Sequence, residues 1–198
     1  MTVLESIRGR RSIRRFRPDP VPRGVIETLL DAAIWAPSAH NRQPWRFAVV
    51  EAAERRETLA RAMGARLRRD LEADGLPPDA VEADASRSYQ RIASAPVLVA
   101  LCLSMVDMDR YPDERRASNE VVMAVQSTAM AGLNFLLAAH AAGLAGCWLC
   151  APLFAPDVVR AVLALPADWE PQALLTRGYP AETRAKTRNP LEASVLWR

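Results

Sequence analysis

The chain has 198 residues, half of them apolar, enough to bury one substantial core and short of the length at which division into domains sets in, so a single domain over 1–198 is expected. Its 26 basic residues against 23 acidic leave a formal charge of only +3, and arginines interleave with acids in runs such as Glu54, Arg55, Arg56, Glu57, which argues against nucleic-acid binding. Cys102, Cys147 and Cys150 lie in apolar surroundings and cannot all pair within one chain, which favours a reducing, cytoplasmic setting over a disulfide-stapled secreted one.

The N-terminal segment is charged from Glu5 to Arg17 without an uninterrupted apolar run, the pattern of neither a secretory signal nor a membrane anchor. Arg10, Ser12 and Arg14 alternate there, and an extended backbone would turn two cations and a hydroxyl to one side. Lys186 and Arg188 repeat the alternation near the other end. The two segments together suit a dianionic phosphate monoester, although a basic surface stretch would read the same.

After a turn at Pro18 to Pro22, apolar residues at Val25, Ile26, Leu29, Leu30, Ala33 and Ile34 predict a helix that Pro37 stops. Trp45 to Val50 reads as a strand, and Leu59, Met63, Leu67 and Leu71 as a second helix ending at Gly75 to Pro78. Asp79 to Ile92 has helical propensity and few apolar anchors, so it reads either as a mobile arm or lid or as a surface helix. Pro96 to Leu103 is an apolar, valine-rich strand covered on both faces. Ala117 to Ala142 is a long central helix. The stretch from Val121 to Pro156 carries no Asp, Glu, Lys or Arg and exceeds the length of a bilayer span. Its Gln126, Ser127, Asn134 and His140, and its breaks at Gly143 and Gly146, fit a helix buried on nearly every side better than a membrane segment. Phe154 to Leu165 gives a short helix and Ala173 to Tyr179 another strand. The tail carries Leu191, Val195, Leu196 and Trp197. Both the tail and the uncharged helix ask for cover that a second copy of the chain would supply.

Several familiar devices are missing. Gly143 to Gly146 lacks the spacing of a dinucleotide fingerprint, no glycine-rich loop ends in Lys-Ser or Lys-Thr, and His40 and His140 have no acids at metal-ligand spacing, so no metal site is expected. Cys147, Trp148, Leu149, Cys150 has the spacing of a redox dithiol without the rest of a thioredoxin-like unit, and a structural position beside a bound ring is preferred.

Four segments carry a resemblance. Arg10 to Phe16 resembles the opening motif of the nitroreductase superfamily of FMN flavoproteins. Ala36, Pro37, Ser38, Ala39, His40, Asn41, Arg42, Gln43, Pro44, Trp45, Arg46, Phe47 is similar to the family segment that passes under the flavin and reaches the facing subunit. Gly143 to Trp148 and Lys186 to Leu191 resemble the third and terminal motifs, in the family's order across nearly the whole chain. Within the superfamily, Ala36 to Phe47, Met108 to Asp113 and Cys147 to Phe154 are most similar to the C-terminal reductase domain of the two-domain protein that matures the 5-deazaflavin coenzyme (coenzyme F420). Met1 stands only a few residues before the first motif, so the glutamate-ligase domain of that protein is not expected.

The resemblance implies an α+β, nitroreductase-like fold: a central, mostly antiparallel sheet flanked by helices, a long buried central helix, and a homodimer with composite active sites. It implies that Arg10, Arg11, Ser12, Arg14, Lys186 and Arg188 hold the FMN ribityl phosphate, that Pro37 and Ser38 approach the ring from the partner chain, that His40 and Asn41 face the substrate, and that the backbone of Leu149, Cys150 and Ala151 approaches the flavin N5 edge. Cys150 stands where many relatives have glycine. His40 is an optional proton donor or a neutral hydrogen-bonding group. Three functions follow: reduction of a dehydro-deazaflavin precursor or a related large, anionic conjugated acceptor; broad NAD(P)H-dependent reduction of nitro, quinone or enone compounds; or non-catalytic binding of FMN or the deazaflavin.

Overall fold

The computed structural model describes residues 1–198. Four strands, β1 (Trp45–Val50), β2 (Val97–Leu103), β3 (Ala145–Leu149) and β4 (Glu170–Gly178), form one sheet in the order β1-β2-β4-β3 with every pairing antiparallel. The valine-rich centre of β2 suits a position between two strands, and all seven of its residues are buried, as a strand covered on both faces requires.

Six helices cover the two faces: α1 (Val3–Gly9), α2 (Arg23–Ile34), α3 (Ala53–Ala73), α4 (Pro78–Ala93), α5 (Glu114–Ala141) and α6 (Pro156–Leu163). On one face, Ile26, Leu29 and Ala33 of α2 and Ala131, Phe135 and Ala139 of α5 meet Val97, Val99, Leu101, Ala173 and Leu175. On the other, Leu59 and Met63 of α3, Ile92 of α4 and Val159 of α6 meet Leu98, Ala100, Cys102 and Leu174. This alternation along β2 and β4 is the period of two that a strand imposes. Gly132 lets α5 approach the sheet closely, because a Cβ there would lie 2.8 Å from Leu101 Cδ2 and overlap Trp148.

Two elements were not expected, α1 and β3, and for a third, α4, the structure decides between the two readings of Asp79 to Ile92. α1 begins with a capping box, Thr2 Oγ1 accepting from Glu5 N and the Glu5 carboxylate accepting from Thr2 N, a signal present in the Thr-x-x-Glu spacing. β3 was hidden by Gly146 and Cys147, residues that argue for turns and redox motifs. α4 packs against α3 through Val81, Ala85 and Ile92 and is tied to it by the Arg68–Glu82 pair, so it is a docked helix.

α5 buries Ala124, Ser127, Thr128, Ala131 and Phe135, yet Val121, Val122, Val125, Met130 and Leu133 are between 37 % and 49 % exposed. Burial on nearly every side is therefore not met within one chain, since the sheet and α2 cover only one side of the helix. By length and composition alone α5 could cross a membrane. Its buried side is part of the main core.

Candidate active site

The segment after α1 runs extended along the edge of the sheet. Ser12 forms a parallel bridge with Gly146, Ile13 N–H donates to Gly146 O at 3.1 Å, Phe16 bridges Pro180, and Arg17 N–H donates to Tyr179 O at 2.9 Å. The chain leaving β4 returns the contact: Ala181 N–H donates to Arg15 O at 3.0 Å, and Arg14 N–H to Glu182 Oε1 at 2.8 Å.

Arginines from this segment border two clefts. Arg10 and Arg11 line a cavity of about 360 Å³ with His140, Leu144, Gly146 and Glu182. Arg14, Arg15 and Phe16 face Ser86, Arg87, Gln90 and Arg91 of α4 across a groove of about 750 Å³. Arg184 borders both. The expectation that Arg10, Ser12 and Arg14 share one side is thus met only in part. Arg10 is the C-cap of α1, so the strand alternation starts after it. Sequence reasoning missed α4 as the second wall; the helical spacing of Arg87 and Arg91 was the available signal.

Charges from the two ends of the chain act on one another. Burial lowers the Arg10 pKa, and the charges of Arg188 and then Arg11 lower it further. Arg10, Arg11 and Arg188 therefore form one cationic cluster. Lys186 is exposed on the tail. His140, beside the same cleft, is lowered by burial and by Arg10 and Arg11, which favours a neutral imidazole. Arg11 Nε, Arg14 Nε, and Nε and Nη2 of Arg177 are buried without hydrogen-bond partners.

Also on α4, Ser88 borders a smaller hollow with Ala151, Met63, Leu67 and Phe154. β3 pairing ends at Leu149 with Leu174, and Cys150 precedes a short 3-10 turn over Ala151–Phe154. The backbone at Cys150 and Ala151 has thus left the sheet beside the α4 wall. All three thiols are free; Cys102 and Cys147 are buried and Cys150 is exposed.

The Pro37 to Asn41 segment lies elsewhere. Ala39 N–H donates to Ser127 Oγ at 3.2 Å and Gln43 N–H to Ser38 Oγ at 3.1 Å, which pins the loop to α5. His40, Asn41 and Gln43 hold φ of 50°, 54° and 50°, sparsely populated values for residues with side chains. His40 and Asn41 are exposed and border neither basic cleft of their own chain. Arg42 is paired with Asp109, and Arg46 with Asp107 at 3.1 Å, so the positive charge of these two arginines beside Asn41 is matched by acids within the chain.

The nitroreductase family profile matches residues 7–179. The chain belongs to the nitroreductase family. It is 32 % identical to an NADH dehydrogenase of Thermus thermophilus over 96 % of this chain and 92 % of that one. It is 37 % identical to a 5,6-dimethylbenzimidazole synthase of Rhodobacter capsulatus over 91 % of this chain and 84 % of that one. A crystal structure of a provisionally assigned nitroreductase from Desulfovibrio desulfuricans, in complex with FMN, superposes with a TM-score of 0.77 at 29 % identity, covering 100 % of this chain and 97 % of that one. Within the nitroreductase frame, the two clefts and the exposed Pro37–Asn41 loop are the three parts from which a site can be assembled.

Proposed function

We propose that this chain, an FMN-dependent oxidoreductase of the nitroreductase family, passes electrons from a nicotinamide dinucleotide to a conjugated organic acceptor. The observation that carries the reading is the cationic cluster formed by Arg10 and Arg11, where α1 passes into the extended segment that leads to the α4 groove, with Arg188 of the tail. Like charges gathered beside buried, unpartnered guanidinium nitrogens suit a phosphate dianion. The groove, with Phe16 and the α4 side chains, suits a ring system.

Arg10, Arg11, Ser12 and Arg188 would hold the phosphate, with Lys186 within the same tail. Arg14 would serve the groove side, and the Cys150 and Ala151 backbone the far end. When bound, FMN supplies two-electron redox chemistry at its ring. The chain's own task is to orient the acceptor and exclude water. The exposed apolar stripe of α5, with Leu191, Leu196 and Trp197 of the tail, supports a homodimer that brings Pro37, Ser38, His40 and Asn41 to the facing subunit's groove. His40 there would donate a hydrogen bond or a proton. The three free thiols fit a cytoplasmic setting.

Purified protein should carry about one FMN per subunit and reduce quinones or nitroaromatics with NADH or NADPH. Absence of bound flavin, together with failure of added FMN to bind, would remove the reading.

A second, narrower reading is reduction of a dehydro-deazaflavin precursor. It is supported by the wording of Ala36 to Phe47, Met108 to Asp113 and Cys147 to Phe154. Turnover of that precursor faster than of small quinones would favour it. Flavin binding without turnover under any donor would instead favour a carrier.

A further inference from the structure

Arg177 is 0 % exposed, in the penultimate position of β4, and pairs with no carboxylate. Its Nη1 donates to Thr176 O at 2.5 Å, while Nε and Nη2 have no partner. The guanidinium lies over the Phe135 ring, 4.6 Å from its centroid. A buried guanidinium with two unmatched nitrogens is costly, and an apolar residue of similar volume is commonly neutral or stabilising in such a place. A structural role therefore explains poorly why the charge is there.

Its direction is informative. Ser12 bridges Gly146, and Gly146 pairs with Arg177, so the three residues form one row across neighbouring segments of the sheet. Gly146 has no side chain to occupy that row. A Cβ there would overlap Nη1 and lie 2.8 Å from Cζ of Arg177, so the guanidinium extends across the glycine from the β4 side. Gly146 is also part of the wall of the cavity that Arg10 and Arg11 line. After burial, the charge of Arg10 lowers the Arg177 pKa further, so the field of that cluster reaches Arg177.

We propose that Arg177 is a buried positioning cation that acts from behind Gly146 on a phosphate held by Arg10 and Arg188, and so sets the preference for a phosphorylated flavin over its dephosphorylated form. The inference rests on the FMN reading above. A charge within the protein is weakly screened, so it strengthens binding of a dianion without touching it. Burial lowers the guanidinium pKa to about 9, and a nearby dianion offsets that shift by favouring the charged form.

The test uses the full-length wild-type protein and the Arg177→Met and Arg177→Lys variants, stripped of flavin and titrated with FMN and with riboflavin. Wild type that binds neither ligand removes the FMN reading and is recognised before any variant is considered. If wild type binds FMN, Arg177→Met should weaken FMN at least about tenfold and leave riboflavin within about twofold. The flavin-free variant should melt no lower than wild type, because an uncompensated charge has been removed. Equal weakening of both ligands, or unchanged FMN binding, overturns the proposal. Should the Met variant fail to fold, the Arg177 Nε–H nitrogen resonance of wild type, assigned by its loss in Arg177→Lys, decides. It should shift on adding FMN and not on adding riboflavin, and an unmoved resonance overturns the proposal.

Discussion

Glu182 Oε1 accepts the backbone N–H of Arg14 at 2.8 Å while its Oε2 pairs with Arg184 at 3.0 Å, so one carboxylate ties the arginine-bearing segment to the chain that leaves β4. The Arg184 side chain, and then the Arg14 N–H, hold the Glu182 carboxyl down at about 2, against an ordinary 4.5. An acid whose pKa is lowered by folding stabilises the fold above its unfolded value and loses that contribution as pH falls through its folded one. The stabilisation is thus present above pH 4.5 and fades toward about pH 2. Glu182 borders an open cleft, which limits its contribution to about 1 kcal/mol or less. Urea unfolding of wild type and Glu182→Gln should differ near neutrality and converge in acid; a gap independent of pH would show that the carboxylate charge is not what matters.

The separation of Arg10 from Arg14 predicts two kinds of flavin defect. Arg10→Ala and Arg188→Ala remove members of one cationic cluster and should each weaken FMN by about 1.5–3 kcal/mol while sparing riboflavin. Arg14 faces the α4 groove, so Arg14→Ala should weaken both flavins. Identical selectivity in all three variants would place the phosphate differently.

Much of this architecture was legible beforehand because burial writes a strong pattern. Trp45 to Val50 and the apolar β2 declare strands, and Ile26, Leu29 and Ala33 declare one face of a helix. β3 was not legible, because Gly146 and Cys147 have little strand propensity and their pairing is set by β4 and by Ser12. Alternation singled out Arg10, Ser12 and Arg14, but the division of Arg10 and Arg14 between two clefts depends on where α1 ends. Arg177 carried no local signal. Only tertiary structure shows that it is buried, unpaired and laid across a glycine.

The exposed stripe on α5 predicts the assembly. Val122, Val125 and Leu133, all exposed, fall on one side of the helix and form a surface suited to a second copy rather than to water. Wild type should be dimeric by light scattering, and Val125→Glu should shift it toward monomer and release flavin. A wild-type monomer saturated with FMN would contradict composite sites.

Thiol reactivity offers a separate measurement. Burial pushes the Cys102 thiol up to about 12, and Cys147 is buried in β3, whereas Cys150 is exposed. Below that value Cys102 is protonated and inert, because the thiolate is the nucleophile. In flavin-free native protein, Cys150 should be the single fast-reacting thiol, and FMN should slow it if the Cys150 backbone adjoins the ring. Rapid modification of Cys102 or Cys147 would mean that the sheet opens locally. An unchanged rate at Cys150 would place the ring elsewhere.

Pairing of the loop arginines gives the choice of acceptor its own test. Arg42 is engaged by Asp109, whose backbone N–H donates to buried Glu120 Oε1 at 3.1 Å, and Arg46 is engaged by Asp107. A paired guanidinium steers distant anions far less than a free one, so the arginine count overstates the field at this loop. Asp109→Asn removes the charge that neutralises Arg42 and preserves the shape of the side chain. If an anionic conjugated acceptor docks beside His40 and Asn41, its kcat/KM should rise severalfold in this variant, and the gain should shrink with added salt. A neutral nitroaromatic should be turned over at the wild-type rate, because its encounter depends on no net charge. Equal effects on both acceptors would point to a loop rearrangement through Glu120 rather than to steering. An unchanged anionic rate would place the acceptor away from Arg42 and leave broad reduction of small neutral compounds as the better account of the site.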